Sequence, residues 1–305
     1  MTSSIPTAVL GRTGLSVTRL GFGAMEIRGS RIWGGRAVTE EQAETILNAV
    51  LDIGINFIDT ANDYGRSEEL IGKFISGRRS EYVLATKCGC HVTYKDEKTD
   101  ETPHIWTREN LFRGLHESLE RMRTDHVDLM QLHNPSVEDC DKGDLVAVLQ
   151  EMKQQGKVRF TSISTTLPHL PAYIQGGAFD TFQIPYSALE RTHEDWITRA
   201  AEAGIGIIIR GGVARGEEGV GLGRPDRWQK FNDAHLDDLL APNESRTSIL
   251  LRYTLAHPHA HTIIVGTLYP AHLAENVAAV QRGPLPADVY AEAKRRLAQA
   301  GEVPA

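Results

Sequence analysis

Short apolar segments rich in β-branched residues alternate with longer amphipathic segments along the chain. This alternation predicts repeated strand–helix units, because parallel strands are covered on both faces and are joined by helices. The predicted strands lie at residues 18–23, 56–59, 82–86, 127–132, 158–163, 181–184, 206–209 and 262–265. The predicted helices lie at residues 39–53, 67–76, 107–122, 143–155, 189–203, 245–256 and 271–280, with room for only a short helix around Pro168 and Pro171.

Eight strands, each followed by a helix, predict an α/β fold of the closed (β/α)8 TIM-barrel type. No linker rich in proline, glycine or serine divides the chain, so we expect residues 1–305 to form a single domain. The rival architecture is an open doubly wound sheet, but no glycine-rich fingerprint follows the first strand. Long connections at residues 89–106 and 211–244 follow strands and are therefore expected on the C-terminal face of the barrel. An extra C-terminal helix is expected at residues 288–298.

Composition narrows the classes of partner. The chain of 305 residues is 41% hydrophobic and 24% charged, which is typical of a folded globular protein. Its formal net charge of -7 argues against a nucleic-acid backbone or an anionic membrane surface as partner. No apolar stretch approaches the roughly 20 residues of a membrane span, and the N-terminus lacks the pattern of a secretory leader. We therefore expect a cytoplasmic monomer or small homo-oligomer.

The three cysteines do not predict a disulfide framework. Cys88, Cys90 and Cys140 are too few and too unevenly spaced for one. The Cys88–Gly89–Cys90 stretch also lacks the second pair of ligands that a structural zinc site needs. We expect buried, inert thiols and no metal.

Chemically capable residues stand at the ends of three consecutive predicted strands. These are Asp59, Lys87 and His133. Taken singly, each has an ordinary alternative, since a strand-end aspartate often caps a helix, a lysine is usually solvated and a lone histidine is usually structural. Barrel active sites are assembled from the ends of several strands, so the coincidence favours a catalytic cluster at one mouth.

Tyr64 follows Asp59 by five residues and is expected to join this cluster. A phenol ordinarily has a pKa near 10, and a nearby ammonium favours the phenolate and lowers that pKa. Lys87 supplies such a charge, and Asp59 can orient and pair with it. The four residues then form a general acid or base beside an imidazole that can donate to a developing oxyanion.

The motifs around these residues resemble those of the aldo-keto reductases. The stretch GINFIDTANDYG at residues 54–65, followed by SEELIG at 67–72, is similar to the family signature. Further similar segments are ATK at 85–87, DHVDLMQLH at 125–133, MKQQGKVR at 152–159, FQIPYS at 182–187, and IVG at 264–266 with Glu275 and Asn276. The resemblance covers residues 7–282.

This resemblance implies NAD(P)H-dependent reduction of an aldehyde or ketone by hydride transfer, without a metal. The family's catalytic tetrad matches Asp59, Tyr64, Lys87 and His133. Tyr64 would protonate the carbonyl oxygen, Lys87 with Asp59 would lower the pKa of the phenol, and His133 would orient the carbonyl. Hydride chemistry and nicotinamide follow from the resemblance alone.

The resemblance also implies positions that hold the cofactor, with two departures from the family pattern. The family's fifth strand usually ends in Ser-Asn, whereas this chain has Ser164 and Thr165, and Arg210 stands where an aromatic ring often stacks on the nicotinamide. His272 replaces an arginine common at the adenosine 2'-phosphate, so a preference for NADPH over NADH is expected but weakened. The remaining predicted cofactor residues are Gln183, Gly211, Gly212, Gly266, Thr267, Glu275 and Asn276.

Substrate contacts are expected from Met25, Trp33 and Trp106, because a carbonyl substrate must be desolvated for hydride transfer. Ordinary core packing is the alternative for each of them. Two other functions remain open at this point. One is a regulatory barrel that senses the state of the cofactor, and the other is an alcohol or sugar dehydrogenase that works mainly in the oxidative direction.

Overall fold

The computed structural model describes residues 4–217, 221 and 223–305 and contains a closed barrel of eight parallel strands. Within these residues there are twelve strands, numbered β1–β12 in chain order. The barrel strands are β3 (Leu20–Gly23), β4 (Phe57–Asp59), β5 (Val83–Cys88), β8 (Val127–His133), β9 (Val158–Ser164), β10 (Thr181–Pro185), β11 (Gly206–Arg210) and β12 (Thr262–Val265). Pairing of β12 with β3 closes the ring, which confirms the predicted (β/α)8 barrel.

Eleven α-helices occur in the described part of the chain. They are α1 (Glu40–Asp52), α2 (Ser67–Phe74), α3 (Arg108–Met122), α4 (Val137–Lys142), α5 (Leu145–Gln154), α6 (Leu170–Gly176), α7 (Glu194–Glu202), α8 (Pro225–Asp233), α9 (Arg246–Ala256), α10 (Pro270–Gln281) and α11 (Ala287–Gln299). The predicted extra C-terminal helix is α11, which packs against α8 and α9. No helix among the described residues is long and apolar enough to cross a membrane.

Helix starts follow from local side-chain chemistry. Thr39 accepts a hydrogen bond from the backbone amide of Gln42, whose side chain accepts from the Thr39 amide in return, so α1 begins with a capping box. Thr107 caps α3 in the same way by accepting from the amide of Asn110. These bonds satisfy backbone donors that would otherwise lack partners at the first turn of each helix.

The N-terminal strand prediction merged two elements. Residues 16–18 form β2 (Ser16–Thr18), which pairs with β1 (Thr7–Val9) in an antiparallel hairpin, and only Leu20–Gly23 belongs to the barrel. The hairpin inserts Leu10 and Val17 into the apolar cluster inside the barrel, where they meet Phe57 and Leu129. The hairpin therefore fills the interior of the barrel with side chains.

The two connections predicted as long loops contain secondary structure. Within residues 89–106, β6 (Thr93–Tyr94) pairs with β7 (Asp100–Glu101), and the 211–244 connection contains α8. Residues 218–220 and 222 of the second connection lie outside the described residues. Gly89 has a φ of +107°, and a Cβ there would lie 2.0 Å from the ring of Trp106, so glycine is required where the first loop folds back.

Candidate active site

A buried ion pair stands at the carboxyl ends of two adjacent barrel strands. Asp59 is the last residue of β4 and Lys87 lies near the end of β5, and their side chains are 2% and 1% exposed. The Lys87 ammonium donates to Asp59 Oδ2 and to the Thr60 carbonyl, each at 2.7 Å. The amides of Gln131 and Gln183 donate to Asp59 Oδ1 at 2.7 and 2.8 Å. Because both carboxylate oxygens are satisfied, this charge pair is held rigidly inside the barrel.

Tyr64 covers this ion pair from the loop between β4 and α2. Its ring centroid lies 4.6 Å from the Lys87 ammonium, and the residue is 7% exposed. The Tyr64 amide donates to the carbonyl of Ala61 at 3.1 Å, and the Ser67 amide donates to the carbonyl of Tyr64 at 2.8 Å. These two backbone bonds fix the turn that presents the phenol to Lys87.

The pKa of Tyr64 shifts in the opposite direction to the sequence-based expectation. Burial raises the pKa of Tyr64, Lys87 lowers it, and the carboxylates of Asp59 and Asp63 raise it again, with a net increase. Burial lowers the pKa of Lys87, but the charges of Asp59 and Tyr64 raise it by more, so the net shift of the Lys87 pKa is upward. The expected depression is therefore wrong for the net value in this structure, although Lys87 acts in the expected direction. The cluster holds a protonated phenol beside a protonated amine.

His133 is the last residue of β8, and its ring lies next to that of Tyr64. The two ring centroids are 6.2 Å apart at an interplanar angle of 77°. The Nδ1 atom of His133 lies 3.0 Å from the sulfur of Cys90. Burial lowers the pKa of His133, and the positive charge of Lys87 lowers it further. A neutral imidazole is therefore the form that this site holds near neutral pH.

A cavity of about 500 Å³ opens next to the cluster, with Asp59 and Tyr64 in its wall. It contains many of the positions predicted to hold a cofactor, drawn from β10, β11 and the segments that follow β11 and β12. These are Gln183, Arg210, Gly211, Gly266, Thr267, His272, Glu275 and Asn276. The structure thus brings eight of the predicted cofactor residues into the same cavity as the phenol.

Ser164, Thr165 and Gly212 lie outside the wall of this cavity. Ser164 is buried and donates to the Asn134 side chain at 2.9 Å, and Thr165 is 2% exposed. A Cβ on Gly212 would lie 2.5 Å from the Ile263 side chain. The absence of a side chain at position 212 is therefore explained by tight packing against β12. The predicted cofactor roles of these three residues have no support in the geometry of the cavity.

Arg210 is the most unusual side chain in the wall. It ends β11, and burial lowers its pKa, with Glu190 opposing that shift. Across the described ranges, its guanidinium forms no hydrogen bond or ion pair. This partly buried guanidinium lines the cavity without a protein partner, so it can bind an anionic group of a ligand there.

Several charged residues of the wall were missed by the sequence-based reasoning. Arg36 and Arg215 contribute to the wall. Burial lowers the pKa of the nearby Arg28, and the positive charges of Arg215 and Arg36 lower it further. Glu190 and Arg227 are also in the wall and form an ion pair of 2.6 Å. Charged residues far apart in sequence have no local motif, so only the fold brings these arginines and acidic residues together in one wall.

The three predicted substrate residues surround the cluster from different directions. Met25 lines the cavity. Trp33 is 51% exposed, and its ring centroid lies 5.9 Å from that of Tyr64. Trp106 stacks on His104 at 5.2 Å, and His104 meets the ring of His133 edge-on at 5.6 Å. Aromatic rings therefore flank both Tyr64 and His133.

Comparison with known proteins agrees with the fold. The model of the Aldo/keto reductase family matches residues 19–297. The chain is 30% identical to L-galactose dehydrogenase from Arabidopsis thaliana over 302 residues, which cover 91% of this chain and 89% of that protein. It is 29% identical to the NADH-specific methylglyoxal reductase of Escherichia coli, over 89% of this chain and 92% of the relative.

A solved structure shows the same architecture. The holo form of an aldo-keto reductase from Bacillus halodurans superposes with a TM-score of 0.81 at 29% identity, covering 97% of this chain and 96% of the other. A closed barrel of eight parallel strands is the architecture of this class of oxidoreductase. The chain belongs to the aldo/keto reductase family, whose members use NAD(P)H.

Proposed function

We propose that this protein reduces an aldehyde or ketone to an alcohol by hydride transfer from NAD(P)H. The observation that carries the proposal is the contact of the Tyr64 ring with the buried Lys87–Asp59 pair at the edge of the 500 Å³ cavity. A proton donor at this position lies beside the space in which a carbonyl can be held. The family membership supports the reaction type.

The residues of the cavity fit an anionic dinucleotide. The Arg210 guanidinium lines the cavity and lacks a partner among the residues that the structure describes, and Arg36 and Arg215 add positive charge to the same wall. Phosphate groups supply the charged acceptors that guanidinium groups bind most strongly. The glycines at positions 211 and 266 would allow close approach of a ligand to the backbone. NAD(P)H, when bound, supplies the hydride.

The chain's own residues handle the proton. Tyr64 donates its phenolic proton to the carbonyl oxygen, which becomes the hydroxyl oxygen of the alcohol. Lys87 stabilises the phenolate that remains, and Asp59 keeps Lys87 charged and oriented. His133 in its neutral form orients the carbonyl oxygen by a hydrogen bond. Met25, Trp33 and Trp106 are proposed to exclude water from the reacting carbonyl.

We also propose that NADPH is preferred over NADH. Thr267 and His272 lie in the cavity wall near the start of α10, where helix amides and a half-buried imidazole can contact a phosphate. Glu275 and Asn276 follow on the same helix and are proposed to contact the adenine. Measured dissociation constants for the two cofactors, obtained by fluorescence titration, decide this point, and tighter binding of NADH would contradict it.

The decisive experiment compares two tyrosine variants of the full chain. In Tyr64→Phe, we expect carbonyl turnover to fall by at least about 100-fold, because the proton donor is lost, while the dissociation constant for NADPH stays within about threefold of wild type, since the cavity is retained. Tyr94→Phe, at a residue 70% exposed in the β6–β7 hairpin, is the control and should keep full activity. A Tyr64→Phe enzyme that retains turnover would overturn the mechanism.

Oxidation of a sugar alcohol or lactol is the second candidate direction, favoured by the 30% identity to L-galactose dehydrogenase. The same cluster would serve the oxidation, with the Tyr64 phenolate accepting the hydroxyl proton of the alcohol. A panel of carbonyls with NADPH and of polyols and sugars with NADP⁺ distinguishes the two directions. Cofactor binding without turnover on either panel would instead favour a regulatory barrel that senses cofactor state.

A further inference from the structure

The loop at residues 89–106 folds back so that its two ends lie side by side. The Ile105 amide donates to the Gly89 carbonyl at 2.8 Å, and Cys90 pairs with His104 in an isolated antiparallel bridge. Directly opposed residues in such a bridge have side chains on the same face. The loop therefore places a thiol and an imidazole next to each other, although they are fourteen positions apart in sequence.

His133 brings a second imidazole to this pair. The sulfur of Cys90 and one ring nitrogen from each of His104 and His133 all lie within 4.8 Å of one another. The sulfur is 3.0 Å from Nδ1 of His133, and the rings of His104 and His133 meet edge-on at 5.6 Å. Cys90 is buried, His133 is partly buried and His104 is exposed. Solvent thus reaches the group from the His104 side.

Asp63 adds a buried carboxylate next to this group. Its Oδ2 atom lies 3.5 Å from Nδ1 of His133, and the residue is fully buried. Among the described residues, its carboxylate interacts with the Cys90 thiol, and neither oxygen has a well-formed hydrogen bond. A buried carboxylate with so little donor support is costly, and a cation bound beside it would offset that cost.

We propose that Cys90, His104, His133 and Asp63 form a binding site for a divalent metal ion of the Zn²⁺ class. One thiolate, two imidazoles and one carboxylate are four ligands of the types that Zn²⁺ takes in tetrahedral sites. Ligand atoms around tetrahedral Zn²⁺ lie roughly 3.3–3.6 Å apart. The sulfur of Cys90 and Nδ1 of His133 are 3.0 Å apart and would separate slightly on binding, while rotation of the exposed His104 side chain would bring its ring nitrogen closer to both.

The proposed site differs from the sequence-based expectation of inert thiols and no metal, which stays a prediction. The second pair of ligands that the Cys88–Gly89–Cys90 stretch lacks is supplied by the returning loop and by β8. The ion would tie the 89–106 loop to the barrel and would share His133 with the proposed carbonyl site. Metal binding itself does not rest on the proposed function, because it requires neither cofactor nor substrate.

The test uses the full chain, free of affinity tags, reduced and stripped of metal by a chelator, then titrated with Co²⁺ as a spectroscopic substitute for Zn²⁺. We expect one equivalent to produce a thiolate-to-cobalt charge-transfer band and the intense visible bands of tetrahedral cobalt. One equivalent of Zn²⁺ should abolish both sets of bands. Zn²⁺ should also raise the unfolding temperature, since it binds the folded state.

Variants identify the ligands. Cys90→Ser should remove the charge-transfer band, whereas Cys140→Ser, at another buried thiol, should retain it. His104→Ala and Asp63→Asn should each weaken Co²⁺ binding at least about tenfold, which is the low end for the loss of a metal contact. His116→Ala, at an exposed histidine on α3, should leave it unchanged. Absence of the band in the wild type, its survival in Cys90→Ser, or unchanged affinity in His104→Ala would each overturn the proposal.

Discussion

The Lys87 ammonium lies 4.6 Å from the centroid of the Tyr64 ring while it donates to Asp59 at 2.7 Å. One buried cation therefore faces a carboxylate on one side and a phenol on the other. The carboxylate keeps the amine charged, and that charge stabilises the phenolate that forms when Tyr64 gives up its proton. The relationship makes the three side chains a unit, so their substitutions should not be additive.

The first prediction separates the electrostatic role of Lys87 from its role in folding. Lys87→Met should reduce carbonyl turnover by about 100-fold or more, because the phenolate loses its counter-charge. It should also destabilise the protein by about 3–5 kcal/mol, since Asp59 is left as a buried, uncompensated charge. Steady-state kinetics and urea unfolding measure the two effects.

The double variant Asp59→Asn/Lys87→Met serves as the control for folding. It removes both buried charges, so stability should recover by at least about half of the loss while activity stays low. Recovery of activity together with stability would contradict an electrostatic role for Lys87.

The second prediction concerns the pH dependence of the reduction. The pKa of Tyr64 is raised from 10.0, so the phenol stays protonated until the pH passes that value. The pKa of His133 is lowered from 6.5, so the imidazole stays neutral above that pH. The value of kcat/KM for reduction should therefore be flat from pH 6.5 to pH 10 and fall only at higher pH.

The oxidative reaction provides the contrast for the pH profile. It requires the phenolate, so its rate should rise with pH across the range in which reduction is flat. Profiles measured in both directions with saturating cofactor check the assignment. A reductive rate that falls between pH 7 and pH 9 would assign a lower pKa to the donor than burial allows.

Much of the fold and of the catalytic cluster could be predicted because their signals are local. The barrel strands are short, mostly apolar segments, and Asp59, Lys87 and His133 stand at the ends of three of them. The strand ends of a barrel converge, so sequence position alone placed these side chains at one mouth. The hairpin β1–β2 was missed because Ser16–Thr18 runs almost directly into β3 with no turn signal between them.

The rest of the site depends on contacts between distant segments. The arginines at positions 36, 210 and 215 share one wall only after the barrel closes, and the bridge between Cys90 and His104 depends on how a loop folds back. The direction of the Tyr64 pKa shift also could not be predicted from the sequence. It depends on how completely the phenol is buried relative to its distance from Lys87, and both quantities belong to the folded structure.

The third prediction concerns Arg210, for which binding and stability should change in opposite directions. Arg210→Met should weaken NADPH binding by about tenfold, because a guanidinium contact to a phosphate or carboxamide is lost. The cofactor-free protein should unfold about 1–3 °C higher, since a partly buried cation without a partner among the described residues has been replaced by an apolar side chain. Fluorescence titration and thermal unfolding measure the two quantities.

Arg282→Met, at an exposed arginine after α10, is the control for the Arg210 variant and should change neither quantity. An Arg210→Met protein that binds NADPH as tightly as the wild type would show that this side chain does not contact the cofactor.

The last prediction tests the apolar plug, which we define as the Leu10 and Val17 side chains that the N-terminal hairpin places inside the barrel. Leu10 is fully buried against Val17, Phe57 and Leu129 inside the barrel, on hairpin residues that contribute nothing to the cavity wall. Leu10→Ala should therefore cost about 2–5 kcal/mol of unfolding free energy, through lost burial and the void left behind. Val9→Ala, at a neighbouring residue 57% exposed, should change stability by less than about 0.5 kcal/mol.

The Leu10→Ala enzyme should keep its kcat while it remains folded, because the catalytic strand ends are held by the backbone hydrogen bonds between the barrel strands and by the Asp59–Lys87 pair. A fall in kcat at a temperature where circular dichroism shows native structure would mean that the plug also positions the site.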